Sequence, residues 1–476
     1  MSNSKPPKIA VLGGGPAGLG AAMKLSQTGR ARPVLFEAGV RVGGNAGSFE
    51  ADGVMCDFGS HRLHPASDPE ILADIQEILG DDLLLRPRHG RILLKERWIH
   101  FPLKPVDLVL RLPKLFAAAL VFDAATAKLR APKVQTETFE SVLLGGLGRT
   151  MCESFYFPYM RKLWGLAPQD LAPTLARRRV SGSSLPKLLR KIFSQLPGLK
   201  SPTTGKFYYP RKGFGMICNR LGETAAAAGA EIQPGARVEK LDIKDNRVTG
   251  VSVRRGDVLE HHETDAVWST LPLTTLITAA GDAAPAAVRD AAASIRYRGM
   301  ILVYIVLDTD QYTEYDAHYF PELEVPISRL SEPKNYSAAS EPRGRTVLCA
   351  ELPSDPGDQY WGMNDHELGE ALYGWLRDCG LPNSAKIERA FTRRLAHAYP
   401  VYDRDYQRHF DVMDEWLAGV GGLLTFGRQG LFAHDNTHHA LAMAYGAVDS
   451  LGEDGGFDAA RWAAHRKEFE THVVED

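Results

Sequence analysis

The segment KIAVLGGGPAGLGAAMKLSQTG, Lys8 to Gly29, constrains what this chain can fold into more than any other. The apolar run Ile9–Leu12 is too short for a helix and reads as a buried strand. After the glycines, Leu19, Ala22, Met23 and Leu25 recur on one face of a helix. The turn between them spells Gly13-x-Gly15-x-x-Gly18. Gly13 permits a tight turn, Gly15 lets the backbone approach a pyrophosphate, and Gly18 lets helix and strand pack closely, so the helix N-terminus can hold the anion. Alone, this pattern is a weak signal. A second strand, PVLFEAG, follows and carries Glu37 about 20 residues beyond the glycines, where a carboxylate accepts ribose hydroxyls. Strand, turn, helix and acid in register predict an α/β protein built on a Rossmann-like domain, a parallel sheet with helices on both faces.

The rest of the chain narrows the partners. Its 476 residues are 44% hydrophobic, enough for about two or three domains. A formal net charge of -2 gives no global attraction to nucleic acid or anionic membrane, so any anion recognition is local. Five scattered cysteines (Cys56, Cys152, Cys218, Cys349, Cys379) without a CxxC speak against a disulfide framework or zinc ribbon and suit a reducing cytoplasm. The N-terminal apolar run is too brief for a signal peptide, and LFAAALVF, Leu115–Phe122, falls far short of the roughly 20 residues of a membrane span. No transmembrane segment is predicted.

Beyond Glu37 come Arg41-Val42-Gly43-Gly44 and FEADGVMCDFGSHRLH. Here the chain resembles the FAD-binding family of amine oxidases, protoporphyrinogen oxidases, phytoene desaturases and UDP-galactopyranose mutases. The resemblance implies FAD, held without a covalent link, with Glu37 on the adenosine ribose and Arg41, Gly43 and Gly44 running along the diphosphate. It implies an FAD domain assembled from residues 1–100, 205–275 and 418–476, in which Val238 lies against the adenine, Thr270 closes the sheet, and Gly427, Arg428 and Asn436 belong to a turn and helix facing the flavin. A helical insertion (101–204) and a strand-rich one (276–417, with MILVYIVLD and TVLCAEL as alternating apolar strands) form a mixed α+β substrate domain. No second GxGxxG follows, so NAD(P)H, if it serves as an external reductant, enters the substrate cleft.

Five aromatics and five cations crowd SFYFPYMRKLWGLAPQDLAPTLARRRV, Ser154–Val180. Its YMRKLWG resembles the Y-x-x-K-x-W-G signature of UDP-galactopyranose mutases and of protoporphyrinogen-oxidase-like proteins, and Arg178, fourteen residues after Trp164, falls where the mutases hold a diphosphate. Tyr159 and Trp164 can stack on a base while Arg178 forks onto phosphate. The same string also reads as a core helix followed by a solvated cationic turn. Arg329, in an R-L-x-E-x-K segment, Arg428, in a G-R-x-G turn, and Tyr399 and Tyr402, in HAYPVYD, fit the mutase template. His61 and His64 resemble its G-x-H-x-x-H turn near the flavin; with no third ligand in register they are not read as metal ligands, and no metal is expected. His434 stands where the mutases have a tyrosine, and DNTHHAL is closer to the oxidase-like set. Leu185, Leu188, Leu189, Ile192 and Leu196 form one face of a basic amphipathic stretch, 184–200, a pattern that fits packing over the substrate domain and also peripheral contact with a membrane surface.

Two functions follow from the resemblance. One is a mutase-like isomerase acting through flavin N5 on a nucleotide-diphosphate sugar, with His61, His64, Arg329, Arg428 and Tyr399 at the reacting centre and Tyr159, Trp164, Arg178, Tyr402 and His434 on the substrate. The other is a net FAD-dependent oxidase, dehydrogenase or desaturase.

Overall fold

A computed structural model describes residues 6–102, 104, 107–126, 135–179 and 205–474. The 184–200 stretch lies outside them. In chain order the elements that build the site are β1 (Lys8–Leu12), α1 (Pro16–Thr28), β2 (Arg32–Glu37), α2 (Phe157–Trp164), α3 (Pro173–Arg179), α4 (Met216–Ala227), β3 (Glu231–Pro234) and β4 (Ala266–Ser269). They continue with β5 (Tyr297–Leu307), β6 (Arg329–Ser331), β7 (Thr346–Pro353), β8 (Ile387–Pro400), β9 (Leu423–Thr425), α5 (Thr437–Asp449) and α6 (Ala459–Phe469).

Five parallel strands make the first sheet, in the order β9-β4-β1-β2-β3. The first strand of the chain is thus central, with β2 on one side and on the other β4, which the chain supplies more than 200 residues later. Its alternate side chains enter two cores. Ile9 and Val11 pack with α1, α4 and α5, whose own buried faces include Leu19, Met23, Leu221 and Leu441. Ala10 and Leu12 face Leu241, Val251 and Val253 of a three-stranded antiparallel sheet (Arg237–Lys244, Arg247–Arg255, Val258–Glu263), with the helix Leu273–Ala280 beside it. The second face is therefore covered partly by strands, where the sequence pattern predicted helices.

The roof is a mixed seven-stranded sheet, in the order β8-β5-β7-β6 and then Ala317–Tyr319, Gly90–Leu94 and Arg97–Phe101. The expected alternation in β5 is absent, because it lies inside this sheet and both faces are covered. Ile301, Val303, Ile305 and Leu307 enter one core, and Met300, Leu302, Tyr304 and Val306 another. Among the described residues no helix is long and apolar enough to cross a membrane.

Candidate active site

The glycine turn behaves as three separate constraints. Gly13 has φ 101° and donates its N–H to Phe36 O at 2.9 Å. A Cβ on Gly18 would stand 2.0 Å from Gly13 O, so any side chain there would push α1 off the turn. A Cβ on Gly15 would meet nothing within 4 Å, which marks the side the backbone offers to a ligand. Glu37 is fixed before any ligand arrives, its two carboxylate oxygens accepting the Gly14 N–H at 2.7 Å and the Gly39 N–H at 2.6 Å. Gly43 and Gly44, both at positive φ, bring their loop back so that Gly43 N–H meets Gly14 O at 2.7 Å.

From this turn a cleft of about 1700 Å³, counting its open mouth, runs under the roof. Gly13, Gly15, Glu37 and Gly44 line one end. Thr270, its hydroxyl donating to Leu12 O at 2.8 Å, and Arg428 and Asn436 continue the wall. Gly427 has φ 82°, and a Cβ there would sit 2.8 Å from that of Ala17, so this glycine lets the C-terminal turn close on α1. Asn436 caps α5 together with His439.

Asp435, which the sequence reading did not single out, also lines the cleft. Its side chain is fully buried; Oδ2 lies 3.1 Å from His472 Nδ1, while Oδ1 has no hydrogen-bond partner among the described residues. His439 Nδ1 comes within 3.9 Å of this oxygen without a hydrogen bond, and a buried carboxylate oxygen on a cleft-lining residue needs a donor that a ligand hydroxyl can supply. A backbone cradle for pyrophosphate, a pre-set acid for a ribose and an orphaned acceptor for a polyol together fit FAD. None of the five cysteines lines the cleft. Asp435, His439 and His472 bring their ligand-type atoms within 4.8 Å of one another. The two imidazoles, however, stack at 4.2 Å and 14°, so their in-plane lone pairs run side by side instead of converging on an ion.

Under the roof, His61, Arg329, Tyr159 and Tyr399 face the same cleft. His61 Nε2 must carry its hydrogen, because its partner at 3.0 Å is the Phe58 carbonyl; burial lowers the ring's pKa and keeps it neutral. Arg329 donates to Glu351 Oε1 at 2.7 and 3.0 Å, and that oxygen also accepts the Ser60 N–H at 2.8 Å. Burial works against the Arg329 charge, yet Glu351 and the surrounding tyrosines outweigh it and raise the pKa. Arg428 is different: it donates to Ala398 O at 2.9 Å, its Nε is buried without a partner, and burial together with Arg179 lowers its pKa. Arg179 and Arg428 both lie over the Tyr399 ring, at 5.9 and 5.1 Å from its centroid, and neither pairs with a carboxylate among the described residues.

Several residues proposed from sequence turn away from the cleft. Trp164 is 2% exposed and donates Nε1–H to Pro400 O at 3.2 Å, so it packs behind Tyr399 and has no open face for a base. Tyr402 is buried, donates to Phe432 O at 2.6 Å and stacks on Tyr406. Arg178 reaches back to the Tyr402 hydroxyl at 3.4 Å, and its neighbour Arg179 takes the cleft side of α3. His434 is enclosed by Trp164, Tyr399 and Tyr402, and burial beside Arg179 and Arg428 drives its pKa well down. Arg41 is exposed and lies over Phe49 and Phe58; neither His64 nor Val238 is on the cleft wall.

The shared signature has a structural explanation. The Lys162 ammonium, 8% exposed, donates to the Phe320, Glu322, Val325 and Ile327 carbonyls at 2.5–3.0 Å, a protein-made shell that replaces its water. Burial pulls its pKa down to about 7. Gly165 ends α2 at φ 66°. In R-L-x-E-x-K, Glu332 accepts from Tyr312 N–H, Thr313 N–H and the Thr346 hydroxyl, and Lys334 donates to three carbonyls. These motifs pin loops, and only Tyr159 and Arg329 among their named residues face the cleft.

A sheet-borne dinucleotide cradle under a cationic, aromatic roof defines a flavoenzyme. The comparisons agree. Residues 16–404 match the flavin-containing amine oxidoreductase family, and the chain belongs to it as an FAD-dependent enzyme. It is 24% identical to protoporphyrinogen oxidase 1, chloroplastic, of Spinacia oleracea over an alignment of 483 residues, covering 93% of this chain and 83% of the relative. In fold it is similar to reduced UDP-galactopyranose mutase (TM-score 0.80, 20% identity, 98% and 100% of the two chains). It is similar also to cyclohexylamine oxidase from Brevibacterium oxydans IH-35A (TM-score 0.63, 13% identity, 98% and 100%).

Proposed function

We propose that this enzyme holds FAD without a covalent link and acts on an anionic substrate, a nucleotide-diphosphate sugar, which it rearranges without net oxidation. The observation that carries this reading is the pair Arg179 and Arg428, two guanidinium groups over one tyrosine that make no ion pair with a carboxylate among the described residues. Gathering cations under a low-dielectric roof is costly, and a diphosphate offsets that cost through charge-assisted hydrogen bonds. Bound flavin supplies a centre, N5, that can attack carbon or accept a hydride. The chain supplies the rest. Arg179 and Arg428 take up the charge of a departing diphosphate. Arg329, neutralised by Glu351, positions more than it attracts. Tyr159 and Tyr399 offer aromatic faces to base or sugar, and neutral His61 keeps Nδ1 as a proton acceptor.

The second reading, net oxidation of a carboxylate-bearing substrate, is favoured by the likeness to protoporphyrinogen oxidase, because the same arginine pair accepts carboxylates. Redox state separates the two. A mutase binds or converts its nucleotide sugar when reduced by dithionite, and UDP shifts its flavin spectrum. If amines or porphyrinogens bleach the oxidised flavin while UDP leaves both redox states unchanged, the oxidase reading replaces the first.

A further inference from the structure

Residues 471–474 leave α6 and cross from the cofactor half to the roof without joining any helix or sheet. His472 approaches Asp435 Oδ2 to 3.1 Å, and the two side chains are 12% and 0% exposed. Its ring stacks on His439 and packs against Phe469. Two residues on, Val474 donates its N–H to Arg178 O at 2.9 Å and places its own side chain, 7% exposed, on the cleft wall.

Each contact answers a local need. Carbonyls in the last described turn of α3 need donors from outside it, and Val474 N–H supplies one at Arg178 O, one residue from Arg179. Asp435 is a buried carboxylate on the wall of a site for a cofactor that is itself anionic, so it needs a polar partner on its far side, and His472 Nδ1, 3.1 Å from Oδ2, is that partner. One short segment therefore holds both the acceptor offered to the cofactor and the helix offered to the substrate anion.

We infer that residues 471–474 form a strap that belongs to the active site, with His472 and Val474 as positioning residues. His472 fixes Asp435 for a cofactor hydroxyl, and Val474 fixes α3 so that Arg179 faces the cleft. Cofactor occupancy and anion binding are thereby coupled through the strap. The inference rests on reading Arg179 as an anion-binding group, so its test includes measurements that do not depend on nucleotide.

The full-length holoenzyme is compared with His472→Ala, Val474→Pro, Val474→Ala and a chain ending at residue 470. His472→Ala is expected to speed FAD release about tenfold, the loss of one charge-assisted hydrogen bond. Val474→Pro removes the N–H while keeping an apolar side chain; it is expected to leave FAD release within about twofold but weaken UDP binding about tenfold. Val474→Ala keeps the N–H and should retain the wild-type UDP affinity. The shortened chain should show both defects, and iodide should quench its flavin fluorescence more steeply than that of the wild type. If the shortened chain keeps wild-type FAD release and iodide quenching, the strap has no positioning role. If UDP fails to perturb even the wild-type flavin, the nucleotide reading falls, while FAD release and iodide quenching still decide on the strap.

Discussion

The glycine turn at 13–18 and the aromatic, cationic segment at 154–179 are both conspicuous strings, yet the fold uses them in opposite ways. In the turn, the residues that make the motif are those that meet the ligand, because the ligand is recognised by backbone and the glycines are what let it approach. In the second segment the motif residues Lys162, Trp164 and Gly165 face the protein, while the cleft receives Tyr159, Leu163 and Arg179. The crowding of aromatics and cations thus mostly serves to fasten a roof, and only one edge of it faces the cleft.

The comparison is broken most directly at Lys162. Lys162→Met leaves four carbonyls without their donor, and about 3–5 kcal/mol of stability should go with it, lowering the melting midpoint on the order of 10 °C. Calorimetry of the holoenzyme checks this; a variant of wild-type stability that has lost only nucleotide binding would return the motif to the substrate. In the other region the large effect should be on cofactor. Gly18→Val drives a side chain into Gly13 O, an overpacking of about 3 kcal/mol that weakens FAD on the order of 100-fold, so the protein should purify pale.

Within the roof, the two neighbouring arginines sharpen the contrast. Arg428→Ala and Arg179→Ala should each weaken UDP binding by about 1.5–3 kcal/mol, read as a titration of flavin absorbance at low salt. Arg178→Ala, which the sequence spacing marked as the diphosphate ligand, should change that titration little, because its guanidinium points to Tyr402.

The smallest effect is a slope with pH. His438 is buried in the cofactor half beside His439, His64, His472 and Asp435, and burial followed by the neighbouring imidazoles lowers its pKa to about 3. An unfolded chain takes up that proton near pH 6.5, which the folded chain refuses, so stability is fully present above that value. It should fall by about 1.4 kcal/mol per pH unit as pH drops from about 6.5 toward 3. Denaturant titrations at several pH values should show a shallower slope in His438→Gln.

Much of the cofactor half was legible because its signals are local. Glycine tolerance of positive φ, the strand–turn–helix order and an acid at the end of β2 can be read from neighbours in sequence. Asp435 escaped notice because nothing local distinguishes it from the capping residue Asn436; only the arrival of His472 from α6 shows which oxygen is spoken for. In the roof, an aromatic or arginine in a motif shows a chemical capacity and leaves its direction open. A helix of seven residues can present Arg178 or Arg179 to a cleft by a rotation of about 100°.

The sequence by itself determined the class of fold, the dinucleotide cradle and the supply of cations and aromatics for the roof, since these follow from backbone freedom and residue type over short spans. Which arginines face the cleft, which lysine is consumed by carbonyls and which carboxylate is left with an open oxygen were decided by tertiary packing. The physical reason is that a buried charge takes whatever partner the fold brings within hydrogen-bond reach, and here those partners lie more than 30 residues away: Tyr402 for Arg178, Phe320 for Lys162 and His472 for Asp435.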